Sequence, residues 1–336
     1  MLSTPLLLFT AVAAVLAAPT PSRVVRPRQD VGVTALTQTD LSALDSFTQF
    51  ARAAYCPVDK LMAWDCGGMS VAAFNRRFIN RPQRLAKPTK TLKFPSPEDG
   101  EMPFNSTNSV IVAHQGTDPL ALMSVLTDLK VLKGELNTTL FPGIPEGVEA
   151  HVGFRDEHAL TADQIRDEVK RLIAEKGATQ VTTVGHSLGG ALAELDALSL
   201  RLNLPAEIGV NAVTYGTPRV GNPEFVKFFD SQVSLTYTRP IGSSVNMSRS
   251  TISSASTMRT YDLVPIIPGR FLDFEHPKGE IHIIDDDTNQ IVACPGNDDE
   301  DNDECQIKTV PSILSGNIID HLGPYNGIFI GSVFCN

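Results

Sequence analysis

The feature that most constrains the fold is a predicted strand followed at once by a predicted helix. Residues 180–185 read QVTTVG, and residues 185–202 read GHSLGGALAELDALSLRL. A turn between these two elements must be very tight, and side chains would collide beside Ser187, so Gly185 and Gly189 flank it. The pattern predicts a strained serine at a helix N-terminus, where the helix dipole and free amide groups favour developing negative charge. Ser187 is therefore the candidate nucleophile.

Further predicted elements alternate along the chain. A β-branched run at 109–114 predicts a buried strand, and a helix over 161–176 has apolar residues on one face and stops at Gly177. Other predicted strands are 208–215, 234–239 and 257–262, and apolar spacing over 40–55 predicts a helix packed on the core. Alternating strands and helices indicate one α/β domain with a mostly parallel sheet covered on both faces.

The N-terminus predicts export. An apolar run in residues 1–18 is shorter than the ~20 residues of a membrane span and ends in small residues, as a signal peptide does. Arg26 and Arg28 suggest a short pro-segment over 19–28, so the mature domain is expected to cover 29–336. Three candidate acceptors for N-glycosylation fit a secreted protein: Asn105, Asn137 and Asn246.

The net charge and the cysteine content indicate which partners and which disulfides to expect. The net charge of −10 argues against a nucleic-acid partner, because a basic stripe is needed to neutralise phosphates. The acidic run at 297–304 is expected to be a solvated surface loop. Five cysteines predict two disulfides and one thiol. Cys294 and Cys305 bracket the acidic run, while arithmetic leaves the pairing of the others open.

A serine nucleophile needs a histidine to take its proton and a carboxylate to orient that histidine. In a chain with this turn, the order is serine, acid, histidine. His321 lies in a loop near the C-terminus and is the favoured base. His282 lies in a strand-like run and is expected to be structural, His276 is expected at the surface, and His186 is expected to point away from the serine.

Asp262 is the favoured acid because it ends the predicted strand 257–262 and precedes Leu-Val-Pro. The alternatives are Asp230, Asp273, Asp320 and the run Asp285–Asp287. The amide of Leu188 can supply half of an oxyanion hole, and Thr117, at the end of the 109–114 strand, can supply the other half.

Together, these stretches resemble the class 3 lipases of fungi, a group of triacylglycerol lipases and feruloyl esterases. The resemblance covers about residues 40–336 and rests on VTTVGHSLGG, RTYDLVP, IIDHLGPY, VIVAHQGTD and HVGFRDEH. It implies an α/β-hydrolase fold, with a central mostly parallel sheet and helices on both faces, and it marks Ser187, Asp262 and His321 as a catalytic triad.

The chain departs from the family pattern at three points. Ala-His-Gln-Gly-Thr stands where relatives carry Phe-Arg-Gly-Ser or Thr, and one residue is inserted before Tyr325. The interval from Ser187 to Asp262 is 75 residues (262 − 187), longer than is usual in the family, and residues 243–256 look like the insertion responsible.

The resemblance also implies how the cysteines pair. It gives the disulfides Cys56–Cys335 and Cys294–Cys305. Cys66 resembles a family cysteine whose partner lies three residues further on in some relatives, where this chain has Met69. Cys66 is therefore expected to be a free thiol.

The resulting hypothesis is a secreted serine esterase that cleaves acylglycerols through an acyl-enzyme, with no metal or cofactor. Its expected partners are a lipid ester and an oil–water interface, and it is expected to be a monomer without an integral membrane segment. The Leu- and Met-rich segment after Thr117, residues 118–128, predicts a lid, although its spacing also suits a core helix. The alternatives are a feruloyl esterase acting on plant cell-wall phenolic esters and an inactive protein that binds lipid or glycan.

Overall fold

The fold is organised around a sheet whose central strands run in the same direction. In the computed structural model, the described residues are 32–37, 40, 43–57, 59–60, 89–93, 109–117, 132–233, 254–259, 261–285, 290–298 and 300–334. Within these ranges, the strands are β1 (Thr34–Ala35), β2 (Thr89–Lys93), β3 (Ser109–His114), β4 (Lys133–Glu135), β5 (Glu149–His151), β6 (Gln180–His186), β7 (Gly209–Tyr215), β8 (Ser254–Arg259), β9 (Glu280–Asp285) and β10 (Gln290–Ala293).

The order of the main sheet is β1-β10-β9-β8-β7-β6-β3-β2, and β4 and β5 form a separate two-stranded sheet. Strands β3, β6, β7, β8 and β9 pair in parallel. The outer strands β2, β10 and β1 pair antiparallel. Because parallel strands end at the same edge of a sheet, the loops after β3, β6, β7 and β8 gather at one edge.

The helices follow the strands as the alternating pattern predicts. In the described part of the chain they are α1 (Asp45–Ala53), α2 (Val152–Ala159), α3 (Ala162–Lys176), α4 (Leu188–Asn203), α5 (Pro223–Gln232) and α6 (Gln306–Thr309), with 3-10 turns at Arg270–Leu272, Asp320–Leu322 and Ser332–Phe334. The prediction missed α5, although its start has a recognisable signal. The Asn222 side chain accepts a hydrogen bond from the Phe225 amide at 3.0 Å, and Pro223 is the first helical residue.

Helices cover both faces of the sheet. Alternate side chains of β3 enter different apolar clusters, because successive residues of a strand face opposite sides. Val110 and Val112 pack with residues of α3, α4 and α5, whereas Ile111 and Ala113 pack with residues of α1. The predicted α/β-hydrolase architecture is confirmed.

Three local predictions were wrong. Strand β8 is 254–259 rather than 257–262, so its first residues come from the end of the supposed insertion. His276 is buried rather than at the surface. Within the acidic run, Asp298 is buried and forms an ion pair with Arg219. Among the described residues, none of the helices has the length and apolar character needed to cross a membrane.

Candidate active site

The turn between β6 and α4 holds Ser187 in a strained backbone conformation. Its φ is 61° and its ψ is −132°, and the residue is fully buried. A Cβ at Gly185 would lie 2.0 Å from the Gly189 carbonyl oxygen, and one at Gly189 would lie 2.4 Å from the His114 carbonyl oxygen. Larger residues would force these backbones apart, so the glycines allow the tight turn that presents Ser187.

The loop after β3 lies against the same turn. A Cβ at Gly116 would be 3.0 Å from the Cβ of Ser187 and 2.4 Å from the His186 carbonyl oxygen. Thr117, the next residue, is buried. Leu188 is the first residue of α4, so its amide is one of the N-terminal amides without an intrahelical partner. The two sequence-predicted oxyanion donors therefore belong to segments that meet at Ser187.

His321 and Asp262 form a buried pair. The Nδ1 of His321 lies 2.9 Å from Oδ2 and 3.1 Å from Oδ1 of Asp262. Both side chains are at most 1% exposed. The amide of Val264 donates to Oδ1 at 2.9 Å, which fixes the carboxylate. Because the carboxylate accepts from Nδ1, the Nε2 of a neutral His321 ring is left as a proton acceptor.

Two reactive atoms of this site are buried without a hydrogen-bond partner in the described part of the chain. They are the Ser187 hydroxyl oxygen and the His321 Nε2. Gly216 links their surroundings: its Cβ would lie 2.8 Å from His321 Nδ1, and the preceding carbonyl, that of Tyr215, accepts from the Ser187 amide at 2.9 Å. The serine, histidine and aspartate predicted from sequence are thus brought to one edge of the sheet.

His186 packs against His321, a contact that the sequence did not predict. Its ring centroid lies 4.4 Å from that of His321, and its Nε2 donates to the His321 carbonyl oxygen at 2.6 Å. Nδ1 then accepts from the Tyr55 hydroxyl at 2.8 Å. Burial and the neighbouring His321 lower the pKa of His186 well below its usual value, so the ring is neutral. This neutral ring packs against the ring of His321.

Tyr325 supports the same pair from the C-terminal segment. Its hydroxyl donates to the His321 carbonyl oxygen at 3.1 Å and lies 3.5 Å from Oδ2 of Asp262. Burial, followed by the nearby Asp262 charge, raises the pKa of Tyr325 well above its usual value, so the hydroxyl keeps its proton. Sequence reasoning gave no role to Tyr55 or His186, because their partners come from distant segments, and it gave none to Tyr325, although His321 is only four residues away.

The alternative acids and bases lie in other settings. Asp273 is exposed and pairs with Lys133. Asp230 accepts from the Lys278 amide at 3.1 Å, and Asp320 accepts from the Asn317 side-chain amide at 3.1 Å. His282 is buried in β9 and bonds the Glu304 carbonyl, as expected of a structural histidine. The side chains of Asp285–Asp287 lie outside the described set.

Several other predicted residues can also be located. Cys294 and Cys305 form a disulfide, and Cys56 is disulfide-bonded. Asn137 is exposed, and its side-chain oxygen accepts from the Thr139 amide at 2.8 Å. The remaining predictions fall outside the described residues: the strand at 234–239, Asn105, Asn246, Cys66, Cys335, residues 1–28 and the lid at 118–128.

A metal site is not favoured by the chemistry of the described residues. Within them, one group of potential ligands lies close together, namely Glu280, Cys294 and Cys305. The two sulfurs are bonded to each other, and a thiolate, not a disulfide, is the metal ligand. This leaves a single carboxylate, too few ligands to hold an ion there.

Known proteins are similar to this chain in sequence and in fold. Residues 111–271 match the model of the class 3 lipase family. Secreted mono- and diacylglycerol lipase MDL2 of Malassezia globosa is 31% identical over 188 residues, 56% of this chain and 56% of the relative. LIP1 of the same organism, named in the same way, is 29% identical over 67% of this chain and 66% of its own length. The matched region thus spans between about half and two thirds of these curated relatives.

The structure of Rhizomucor miehei lipase in complex with its propeptide has the same fold, with a TM-score of 0.68 and 21% identity over 90% of this chain and 85% of that one. Lipase II from Rhizopus niveus gives a TM-score of 0.65 at 21% identity, over 89% and 99% of the two chains. The elbow around Ser187, the buried His321–Asp262 pair, the family match and the shared fold agree. Over residues 111–271 the chain is similar to the class 3 lipase family.

Proposed function

We propose that this protein is a secreted serine esterase that hydrolyses the carboxylic ester bonds of acylglycerols. The observation that carries the proposal is the buried His321–Asp262 pair, with Nδ1 to Oδ2 at 2.9 Å, beside the strained serine of the β6–α4 turn. A pair built in this way orients an imidazole so that its Nε2 can take a proton from a serine hydroxyl.

The chemistry follows from these positions. Ser187 attacks the ester carbonyl carbon while His321 Nε2 accepts the hydroxyl proton, and Asp262 stabilises the imidazolium that forms. The amides of Leu188 and Thr117 donate to the oxyanion of the tetrahedral intermediate. The intermediate collapses as His321 protonates the leaving alcohol. Water then attacks the acyl-enzyme, with the same histidine as base, and releases the fatty acid.

Substrate class and location are inferred from the relatives. Both Malassezia proteins are named secreted mono- and diacylglycerol lipases, so acylglycerols are the first substrates to test. We assign residues 1–18 to a signal peptide, 19–28 to a pro-segment and 29–336 to one catalytic domain that acts as a monomer. We assign the free thiol to Cys66 and the partner of Cys56 to Cys335.

Access to the serine needs a movement. Ser187 is 0% exposed and His321 is 1% exposed, so a lipid chain cannot reach them in this conformation. We propose that residues 118–128, the apolar segment after Thr117, form the lid that moves. An oil surface would favour the open form by covering the apolar side chains that opening exposes.

The test compares three esters and two serine variants. Ser187→Ala is expected to lower the hydrolysis rate by several orders of magnitude and to leave the protein folded, because the nucleophile is lost. Ser199→Ala is the matched control, since Ser199 is a buried serine of α4, the helix that follows Ser187, and donates to the Leu140 carbonyl. Ser187→Ala with even a tenth of the original activity would contradict the proposal.

The ester panel contains a dissolved short-chain ester, a long-chain triglyceride emulsion and methyl ferulate. We expect hydrolysis of the first two and little of the third. Preference for methyl ferulate would favour a feruloyl esterase. Failure of an organophosphonate probe to label Ser187 would favour an inactive binding protein.

A further inference from the structure

The backbone that carries Asp262 lies outside the sheet. Strand β8 ends at Arg259, so the following segment, residues 262–268 (here the acid loop), has no strand neighbour to hold it in register. A catalytic group on a loop is held less accurately than one on a strand or helix. The acid loop therefore needs other contacts if Asp262 is to meet His321 at hydrogen-bond distance.

Side chains from elsewhere bind the carbonyl groups along the acid loop. Gln306 Nε2 donates to the Asp262 carbonyl oxygen at 2.6 Å, and His276 Nε2 donates to that of Pro265 at 2.7 Å. Arg219 donates through its guanidinium to the carbonyls of Ile266 and Pro268, at 2.5 and 3.0 Å. All three donors are at least 97% buried, so water does not compete for these bonds.

The same donors are tied to the loop closed by the Cys294–Cys305 disulfide (here the disulfide loop). Asp298 in this loop accepts from two nitrogens of Arg219, at 2.8 and 2.6 Å, and from the His276 amide at 2.9 Å. Burial opposes ionisation, but His276 and Arg219 lower the pKa of Asp298, so the carboxylate stays charged. Through Arg219, the disulfide loop is therefore hydrogen-bonded to the C-terminal end of the acid loop.

Gln306 binds the N-terminal end of the acid loop, at Asp262. It directly follows Cys305, and its backbone amide donates to the Glu280 side chain at 2.7 Å. The Glu280 carbonyl in turn accepts from the Cys294 amide at 2.9 Å. Both ends of the disulfide loop are therefore anchored to the first residue of β9, and Gln306 extends from that anchor to Asp262.

We infer that the disulfide loop is a brace for the catalytic acid and that Gln306 is a positioning residue for Asp262, an inference that rests on the proposed triad. Gln306 acts on the backbone of Asp262, away from the carboxylate that bonds His321. Gln306 thereby fixes the position of the Asp262 carboxylate without touching the substrate or the reacting atoms. A displacement of ~1 Å in a catalytic group can cost about 100-fold in rate.

The test uses Gln306→Met, which keeps the size of the side chain and removes its donor. Its matched control is Gln290→Met, because Gln290 donates to Glu304 at 3.1 Å from an exposed position. We expect Gln306→Met to lower kcat on a dissolved short-chain ester by about 10- to 100-fold with KM little changed, because binding is not affected. The control is expected to keep the kcat of the unmodified enzyme.

A second readout separates positioning from general stability. The proton shared by His321 Nδ1 and Asp262 gives a far-downfield NMR signal, assigned by its loss in Asp262→Asn. We expect this signal to move or broaden in Gln306→Met and to stay in Gln290→Met. If Gln306→Met does not fold, Gln306→Asn, whose amide is shorter by one methylene, is expected to show the same changes to a smaller degree.

A folded Gln306→Met with unchanged kcat, or with an unmoved Nδ1 proton signal, would overturn the inference. Failure of the proposed function looks different. In that case, the unmodified chain would not hydrolyse the ester and Ser187→Ala would match it, whereas the NMR signal would still report on the His321–Asp262 geometry.

Discussion

Ser187 has a backbone conformation that costs about 1–3 kcal/mol for a residue with a side chain, and its neighbours must offset that cost. Its amide donates to the Tyr215 carbonyl at 2.9 Å, and its carbonyl accepts from the Gly190 amide at 2.9 Å. The conformation is therefore held on both sides of the residue. The turn places Ser187 at the edge of the sheet where β6 ends.

A prediction at this scale concerns the acid. Asp262→Asn is expected to keep the protein folded and to lower kcat by roughly 10⁴-fold, because an amide facing His321 Nδ1 favours the wrong tautomer of the ring. The measurement is kcat on a dissolved short-chain ester. Asp273→Asn is the control, since Asp273 is exposed and pairs with Lys133. Greater damage from the control than from Asp262→Asn would refute the assignment.

Single residues differed in how well the sequence could predict them. Ser187 could be predicted because flanking glycines and two flanking elements leave one local conformation. Order along the chain after the serine narrowed the candidates to a few residues. Asp262 was then favoured as the end of a predicted strand, although that strand ends at Arg259. Tyr55 and His186 are 131 residues apart, and their bond depends on how α1 packs beneath the sheet, which local pattern does not encode.

At the scale of elements, three of them meet at a buried carboxylate. Asp196 on α4 lies 2.7 Å from His114 Nε2, at the end of β3, and 2.9 Å from His158 Nε2, on α2. Burial alone would raise the pKa of Asp196, but the two histidines outweigh it and lower the pKa to about 2. The cluster joins the end of β3 to α4, the helix that follows Ser187.

The prediction for this cluster concerns stability and its dependence on pH. Asp196→Asn is expected to lower the free energy of unfolding by about 3 kcal/mol near neutral pH, as for other broken buried pairs. In the unfolded chain the carboxyl has its ordinary pKa of 3.8, and in the folded chain its pKa is about 2. The unfolded state therefore binds the proton first as the pH falls, and the stabilisation is lost between about pH 4 and pH 2.

The measurement is urea unfolding of both proteins across that range. The difference between them should be largest above about pH 4 and should shrink towards pH 2. Asp163→Asn is the control, because Asp163 pairs with Arg166 on the exposed face of α3. A difference that stays constant down to pH 2 would show that the charge of Asp196 does not stabilise the fold.

Elements with strong local patterns were predicted well, and those that depend on tertiary contacts were not. Strand β3 matches its predicted bounds, and α3 begins only one residue later than predicted. Both are defined by the spacing of their apolar residues and by the glycine that follows each of them. Strand β8 lies three residues earlier than predicted, since pairing with β7 and β9 decides its register. The acidic run was taken for a solvated loop because charge pattern alone cannot show that Arg219 lies buried beneath it.

At the scale of the whole molecule, apolar side chains surround the loops that carry the acid and the base. Tyr261 precedes Asp262 and is 52% exposed, while Leu314 and Ile319, before His321, are 93% and 68% exposed. The Asn317 amide donates to the Tyr261 carbonyl at 2.6 Å, which joins the two segments. Apolar surface of this kind loses contact with water when it meets lipid, which agrees with the proposed action at an oil surface.

The last prediction concerns how activity responds to that surface. If residues 118–128 form a lid, its apolar face covers the cleft in water and meets lipid at an interface. Each leucine-sized side chain contributes ~1.5–3 kcal/mol, so three or four can shift the balance between closed and open forms by several kcal/mol. We expect the rate to rise when a poorly soluble ester exceeds its solubility limit.

Replacing Leu120, Leu122 and Met123 together with serine should flatten that rise and spare hydrolysis of dissolved short-chain esters. Leu160→Ser is the control, because Leu160 is an exposed leucine at the end of α2, outside the predicted lid. The measurement is initial rate against ester concentration through the solubility limit, for all three proteins. A smooth saturation curve for the unmodified enzyme would remove the lid hypothesis, since a site that is already open gains no activity from an interface, and it would favour a feruloyl esterase.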